Sequence, residues 1–164
     1  MLLACMLVPG MIIIQHSKHL EDGLYLVDKV LDNTNKVVLK SNQALVPFNR
    51  DFLENAPSNS AGLIANTADF VPLLLEGEPQ LVPQTDAKKK LQLSFSRPAG
   101  EKLEQFTAAN IMKEATMIVD GKALTVNKIR DTIHGGKMEI TTSSGNECER
   151  IYLTLKNHNI EKRK

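Results

Sequence analysis

Tryptophan is absent, and aromatic residues are scarce, with five Phe and two Tyr in 164 residues. They are scattered, so the interleaved stacking surface of a single-strand nucleic-acid binder is excluded. There are only two cysteines, Cys5 and Cys148, which rules out a disulfide scaffold and a cysteine-rich zinc site. The net charge is +1, so bulk electrostatics gives no nucleic-acid signature. The P-loop, the Gly-x-Gly-x-x-Gly fingerprint, the Gly-x-Ser-x-Gly elbow and the His-Glu-x-x-His zinc motif are all missing. No cofactor is expected.

What is present is ordinary in amount: 42% hydrophobic and 24% charged residues, close to the globular average. The length fits one domain, or one domain with a small appendage. The charge, however, is unevenly placed. Residues 1–82 hold five Lys/Arg and nine Asp/Glu, a net of −4, whereas residues 83–164 hold fifteen and ten, a net of +5. Opposite solvated surfaces explain this, and so does a basic C-terminal part that meets an acidic partner or lipid headgroups.

Met1 to Ile14 (MLLACMLVPGMIII) carries no charge. As a helix it spans about 21 Å, short of the ~30 Å hydrocarbon core. Pro9 and Gly10 interrupt it, and Gln15 to Asp22 turns abruptly polar. The segment reads as a signal-peptide apolar region or a weak membrane anchor. Leu2-Leu3-Ala4-Cys5 is similar to a bacterial lipoprotein box, which makes Cys5 a lipidation candidate. The apolar residues that follow Cys5 depart from that pattern. Alternatively, residues 1–14 form a hydrophobic element of an intracellular protein.

Gly23–Val30 and Lys36–Lys40 read as a hairpin around Asp32-Asn33-Thr34-Asn35. Asn49–Ala56 reads as a short helix, residues 57–69 as a surface loop, and Gly77, Pro79 and Pro83 as a connector. Beyond it, Leu91, Leu93 and Phe95 alternate as a half-buried strand. Pro98 suits a first helical turn, and Leu103, Phe106 and Asn110 share one face of that helix. Ala115–Val119 and Lys122–Val126 flank Asp120-Gly121, a hairpin turn. Ile129 and Ile133 fit a short helical turn, closed by Gly135-Gly136. Met138 and Ile140 alternate in a further strand. Ser144 and Glu147 form a capping-box pattern ahead of a helix striped by Cys148, Ile151 and Leu155. The class is α+β: an antiparallel sheet with helices packed on one face, preceded by a small β-rich segment. Three segments follow: a leader or anchor (1–14), a β-rich segment and connector (15–86), and an α+β domain (87–164).

Candidate chemistry is thin. His16 and His19 could share a metal on a helix, but no further ligand lies nearby, so a solvated pair is favoured. His134 beside Gly135 and Gly136 could offer backbone donors to an anion, but no helix plainly starts there and a tight turn is the favoured reading. Asp120 could act as a base only beside a second titrating group. Cys148 reads as a small buried hydrophobe. Lys88-Lys89-Lys90 reads as a solvated charge run.

Several of these residues form a familiar set: Phe106-Thr107, Asn110 to Lys113, Ile118 to Lys122, and Ile133 to Thr141. The set resembles the head subdomain of the first periplasmic domain of SecD, over about residues 87–158. Residues 23–27 and 50–56 resemble more weakly the segment that leads into it. That subdomain pairs a Phe, Thr and Asn-x-Gly-Lys pattern with a strand ending Asp-Gly-Lys and a Gly-Gly turn before Ile-Thr. Three positions depart: Met112 replaces the glycine before Lys113, Thr125-Val126-Asn127 replaces a small-Ala-Pro run, and Thr142 replaces a glycine.

The resemblance implies an antiparallel α+β head domain with no catalytic residues. It also implies a link to polypeptide export, in which SecD uses proton flow through transmembrane helices. These residues hold no such bundle, so coupled transport is not expected. The expected activity is a non-enzymatic, extracytoplasmic, membrane-associated binding module. Its partner would be a polypeptide or a membrane protein, gripped by strand addition at Lys137–Thr141 or Leu91–Phe95. The alternatives are an intracellular structural or regulatory subunit, and an enzyme built around His134, Lys137 and Asp120.

Overall fold

The computed structural model describes residues 20–32, 37–49, 62–84, 89–141 and 145–162. Cys5, His16, His19, Ser144 and the helix expected over Asn49–Ala56 lie wholly or mostly outside these residues. Strands β1 (Gly23–Leu31), β2 (Gln43–Pro47), β3 (Gly62–Pro72), β4 (Gln80–Pro83) and β5 (Lys89–Ser94) precede helix α1 (Arg97–Ala109). Strands β6 (Glu114–Val119), β7 (Lys122–Lys128) and β8 (Lys137–Thr141) follow, then helix α2 (Gly145–Lys162).

The fold is α+β, with the strands in two antiparallel sheets: a five-stranded one, β2-β3-β1-β6-β7, and a three-stranded one, β4-β5-β8. β1 pairs with β6 as well as β3. Strands from either side of residues 86 and 87 therefore share a sheet, and the expected boundary there does not divide the structure. β1 does not turn back onto residues 37–40, which form no strand. Its neighbour is β3, drawn from the stretch read as a surface loop. β3 opens with four consecutive buried residues, Gly62 to Ala65, because both faces of the five-stranded sheet are covered.

Three irregularities bend that sheet. Thr67, Ala68 and Asp69 have no partner on β1, Asp28 has none on β3, and the β6–β7 register slips beside Met117. Bulges of this kind increase local twist and curl. The two outer strands consequently approach each other: Phe48 bridges Ala123 in parallel, and the Asn49 N–H donates to the Ala123 carbonyl at 3.0 Å. Inside the curl lie Tyr25, Val46, Leu63, Ala65, Ile118 and Ala123. Tyr25 stacks on Phe70 at 4.8 Å, and its hydroxyl donates to the Glu21 carbonyl at 2.8 Å. Burial, with Glu21 and Asp22 nearby, pushes its phenol up to about 12. The fold thus favours the neutral ring, and that contribution is lost as pH rises from 10.0 toward about 12.

The other face joins the main core. Leu24, Met117 and Leu124 meet Leu91, Leu93, Met138 and Ile140 of the second sheet, Leu103 and Phe106 of α1, and Cys148, Ile151 and Leu155 of α2. Period-2 and period-3.6 stripes thus converge on one interior. Asp120 and Gly121, with φ of 50° and 71°, make the β6–β7 turn. Ile129 and Ile133 form no helix.

Gly135 and Gly136 both have positive φ, 65° and 66°. Only Gly136 also touches a neighbour. A Cβ there would sit 3.2 Å from Gly100 Cα and 3.4 Å from the Phe95 carbonyl oxygen, whereas one on Gly135 would meet open space. This contact seats the first turn of α1 against the start of β8. Gly135→Ala should cost about 1 kcal/mol from its left-handed backbone alone. Gly136→Ala should cost about 2 kcal/mol or more, because close packing adds to the same strain. Urea denaturation of both variants checks this, and equal losses would contradict the seating role.

Candidate functional site: a cleft beside an open strand edge

The site begins at the end of α1. Thr107 is fully buried, and its hydroxyl donates to the Leu103 carbonyl at 2.8 Å. The same oxygen accepts the Ile133 N–H at 3.0 Å. Asn110 is also buried; its side-chain amide donates to the Phe106 carbonyl at 2.8 Å, and its Oδ1 accepts from Lys113 Nζ at 2.9 Å. The backbone of the following turn pairs with Ile129: Met112 N–H to the Ile129 carbonyl at 2.7 Å, and Ile129 N–H to the Lys113 carbonyl at 2.9 Å. The segment from Ile129 to Ile133 is therefore held onto α1 by its backbone. That explains why two isoleucines at helical spacing form no helix.

Held there, the segment walls a cleft of about 500 Å³. Leu24, Ala115 and Met117 contribute from the five-stranded sheet, Thr125 from β7, and Met138 to Thr141 from β8. Lys128, Arg130, Asp131 and Glu139 give it a charged rim. The volume is in the range of ordinary ligand sites.

β8 brings its backbone to this cleft. Among the described residues its partner strand is β5 alone. The Phe95 N–H donates to the Gly136 carbonyl at 2.8 Å, and the Glu76 N–H donates to the Ser94 carbonyl at 2.7 Å on the opposite side of β5. Antiparallel pairs alternate between bonded and unbonded residues. Met138 and Ile140 therefore bond to Leu93 and Leu91. The N–H and C=O groups of Lys137, Glu139 and Thr141 point the other way, and no strand pairs with them among the described residues. Leu91–Phe95, the other expected edge, is corrected: β5 is flanked by β4 and β8, so both its sides are occupied.

The remaining edges are finished differently. β2 and β7 bridge each other through Phe48 and Ala123. β4 is four residues long and ends at Pro83, which cannot donate.

The other singled-out residues have structural places. Asp120 lies in the β6–β7 turn, and its N–H donates to Asp22 Oδ1 at 2.8 Å. His134 Nδ1 lies 3.0 Å from Glu104 Oε1. Lys89 pairs with Glu149, and Lys90 with Glu139 at 2.8 Å, so these two lysines tie β5 to α2 and to β8. A second hollow of about 450 Å³ lies between β3 and α1, beside the Lys102–Asp69 pair at 2.5 Å. Among the described residues, no cluster of His, Cys, Asp and Glu could hold a metal. The cleft-wall role of Thr107 and Ile129 has no local sequence signature beyond the buried face of α1 and the isoleucine pair.

Among the described residues, two antiparallel sheets, two helices and an open-edged cleft define a small α+β module. The family model for the SecDF P1 head subdomain matches residues 75–159, just over half of the chain, and the chain belongs to that family. The SecD protein translocase subunit of Acidaminococcus fermentans is 29% identical over 69 residues, covering 42% of this chain and 16% of that one. The SecDF subunit of Thermus thermophilus is 29% identical over 135 residues, covering 77% and 17%. The chain thus spans about one sixth of the length of the curated relatives it matches. The crystal structure of the translocon-associated membrane protein SecDF from Thermus thermophilus shares the fold, with a TM-score of 0.51 and 23% identity over 84% of this chain and 19% of that chain.

One departure from the family pattern has a visible consequence. Met112, where the pattern carries glycine, has φ of 68° and is 63% exposed. A side chain in that region is strained, and its exposure supplies no packing in return. Met112→Gly should therefore raise stability by about 0.5–1 kcal/mol. A rise in the thermal midpoint checks it, and a fall would contradict the strain argument.

Proposed function

We propose that this chain is a non-enzymatic binding module of protein export that grips an extended polypeptide by strand addition to β8. The observation that carries this reading is the set of outward backbone groups at Lys137, Glu139 and Thr141, which face a cleft with an apolar floor. Backbone pairing gives affinity that tolerates sequence variation. An export factor that handles many polypeptides needs that tolerance. Membership in the SecDF P1 head family and likeness to subunits named protein translocases support the setting. Among the described residues no helix is long and apolar enough to cross a membrane. In this reading residues 1–14, through an apolar anchor or a lipid on Cys5, attach the module to the extracytoplasmic face of the membrane. A membrane-protein partner would then supply any energy for movement.

Glu139→Pro tests the reading directly. The Glu139 N–H points away from β5, so proline removes an outward donor without breaking a β5–β8 bond. The variant should stay folded and bind an unfolded test polypeptide at least about tenfold more weakly, a loss near 1.4 kcal/mol. Glu139→Gln, which keeps the N–H and loses only the ionised partner of Lys90, should bind nearly as the parent does. Affinity of the proline variant equal to that of the parent would overturn strand addition.

A further inference from the structure

Resting on that reading, the geometry points to a ligand class: we infer that the cleft selects extended segments whose apolar side chains alternate with polar ones. Residues directly opposite each other in paired strands project their side chains to the same face. On β8, Met138 and Ile140 project into the main core, at 6% and 5% exposure, whereas Lys137, Glu139 and Thr141 project outward. A strand added along the open edge keeps this pleat. Its residues opposite Met138 and Ile140 enter the cleft over Leu24, Ala115 and Met117. Its intervening residues lie beside Lys137, Glu139 and Thr141, on the face that carries the Lys90–Glu139 ion pair.

Length follows from the same strand. Lys137 to Thr141 is five residues, about 13 Å from the first to the last Cα. The grip therefore covers about five ligand residues, two of them inward. Apolar groups at those two positions gain burial. A charged group there would be placed against the apolar floor, which costs free energy without a partner. Consecutive apolar residues would leave every second one in solvent. The selected pattern is thus a period of two, and a helical period does not satisfy it.

The second hollow, between β3 and α1, does not offer this. There β3 bulges at Thr67 to Asp69, which have no partner on β1, and ends at Pro72, which has no N–H to donate, so no regular ladder borders the hollow.

The test uses the full chain and two peptides of identical composition with identical charged flanks. In one, Val and Thr alternate over seven positions; in the other, the order Val-Val-Thr-Thr-Val-Val-Thr leaves no two valines two residues apart, so only one can face inward. Affinity is read by fluorescence anisotropy and the site by amide chemical shifts. The alternating peptide should bind about tenfold tighter, the worth of about one more buried valine. Its shifts should concentrate at Lys137–Thr141 and Ile129–Ile133. Equal affinity with shifts at β8 would overturn the alternation rule and leave strand addition standing. Shifts confined to the hollow at β3 and α1, or no shifts with either peptide, would overturn both.

Discussion

Backbone N–H and C=O groups on the outer side of a sheet have no partner within it, and a folded protein must pair, cover or solvate them. The two sheets have four such sides, and the rest of the molecule can be understood from how each is finished. Bulges curl the five-stranded sheet until β2 meets β7 at the Phe48–Ala123 bridge. Shortness and Pro83 finish β4. Among the described residues, β8 keeps a run of outward groups with a sheltered apolar surface beside it. The curl that encloses Tyr25, Leu63 and Ile118 thereby turns one outer strand to a partner and leaves the binding capacity on the smaller sheet.

The C-terminal half was largely legible in the sequence because its signals are local. Leu91, Leu93 and Phe95 alternate, Asp120-Gly121 turns, and Cys148, Ile151 and Leu155 recur at helical spacing. Each signal acts through immediate chain neighbours, and each element appears where the pattern puts it. The N-terminal half failed for the opposite reason. Residues 57–69 look like a loop because they are small and polar, yet Gly62 to Ala65 are buried. Small residues suit that place: a Cβ on Gly62 would lie 2.6 Å from the Val46 carbonyl oxygen. The partners of β1 are far off in sequence, Gly62 opposite Leu31 on β3 and Ile118 opposite Gly23 on β6, which local turn signals do not reveal. The isoleucine pair misled through periodicity alone, since its backbone bonds go to Thr107, Met112 and Lys113.

The charge asymmetry also takes a different meaning. The acidic and basic halves do not form separate bodies, because β1 and β6 share a sheet. Part of the basic excess is spent on fastening: Lys89 and Lys90 tie β5 to α2 and β8 through Glu149 and Glu139. These pairs are partly exposed and contribute little stability each. The register of β5 and β8, which faces Met138 and Ile140 inward, is set by the backbone ladder between them. The family resemblance and the cleft therefore rest on the same elements, α1, β5, β8 and the segment tied down by Thr107.

Amide hydrogen exchange at β8, read residue by residue with and without an unfolded polypeptide, tests the central claim most directly. In the free protein the Met138 and Ile140 amides should be protected by β5, while those of Lys137, Glu139 and Thr141 should exchange quickly. On adding the polypeptide, those three should slow in step, with little change at Met138 and Ile140. Unaltered exchange at all three while the polypeptide is bound would contradict strand addition at this edge.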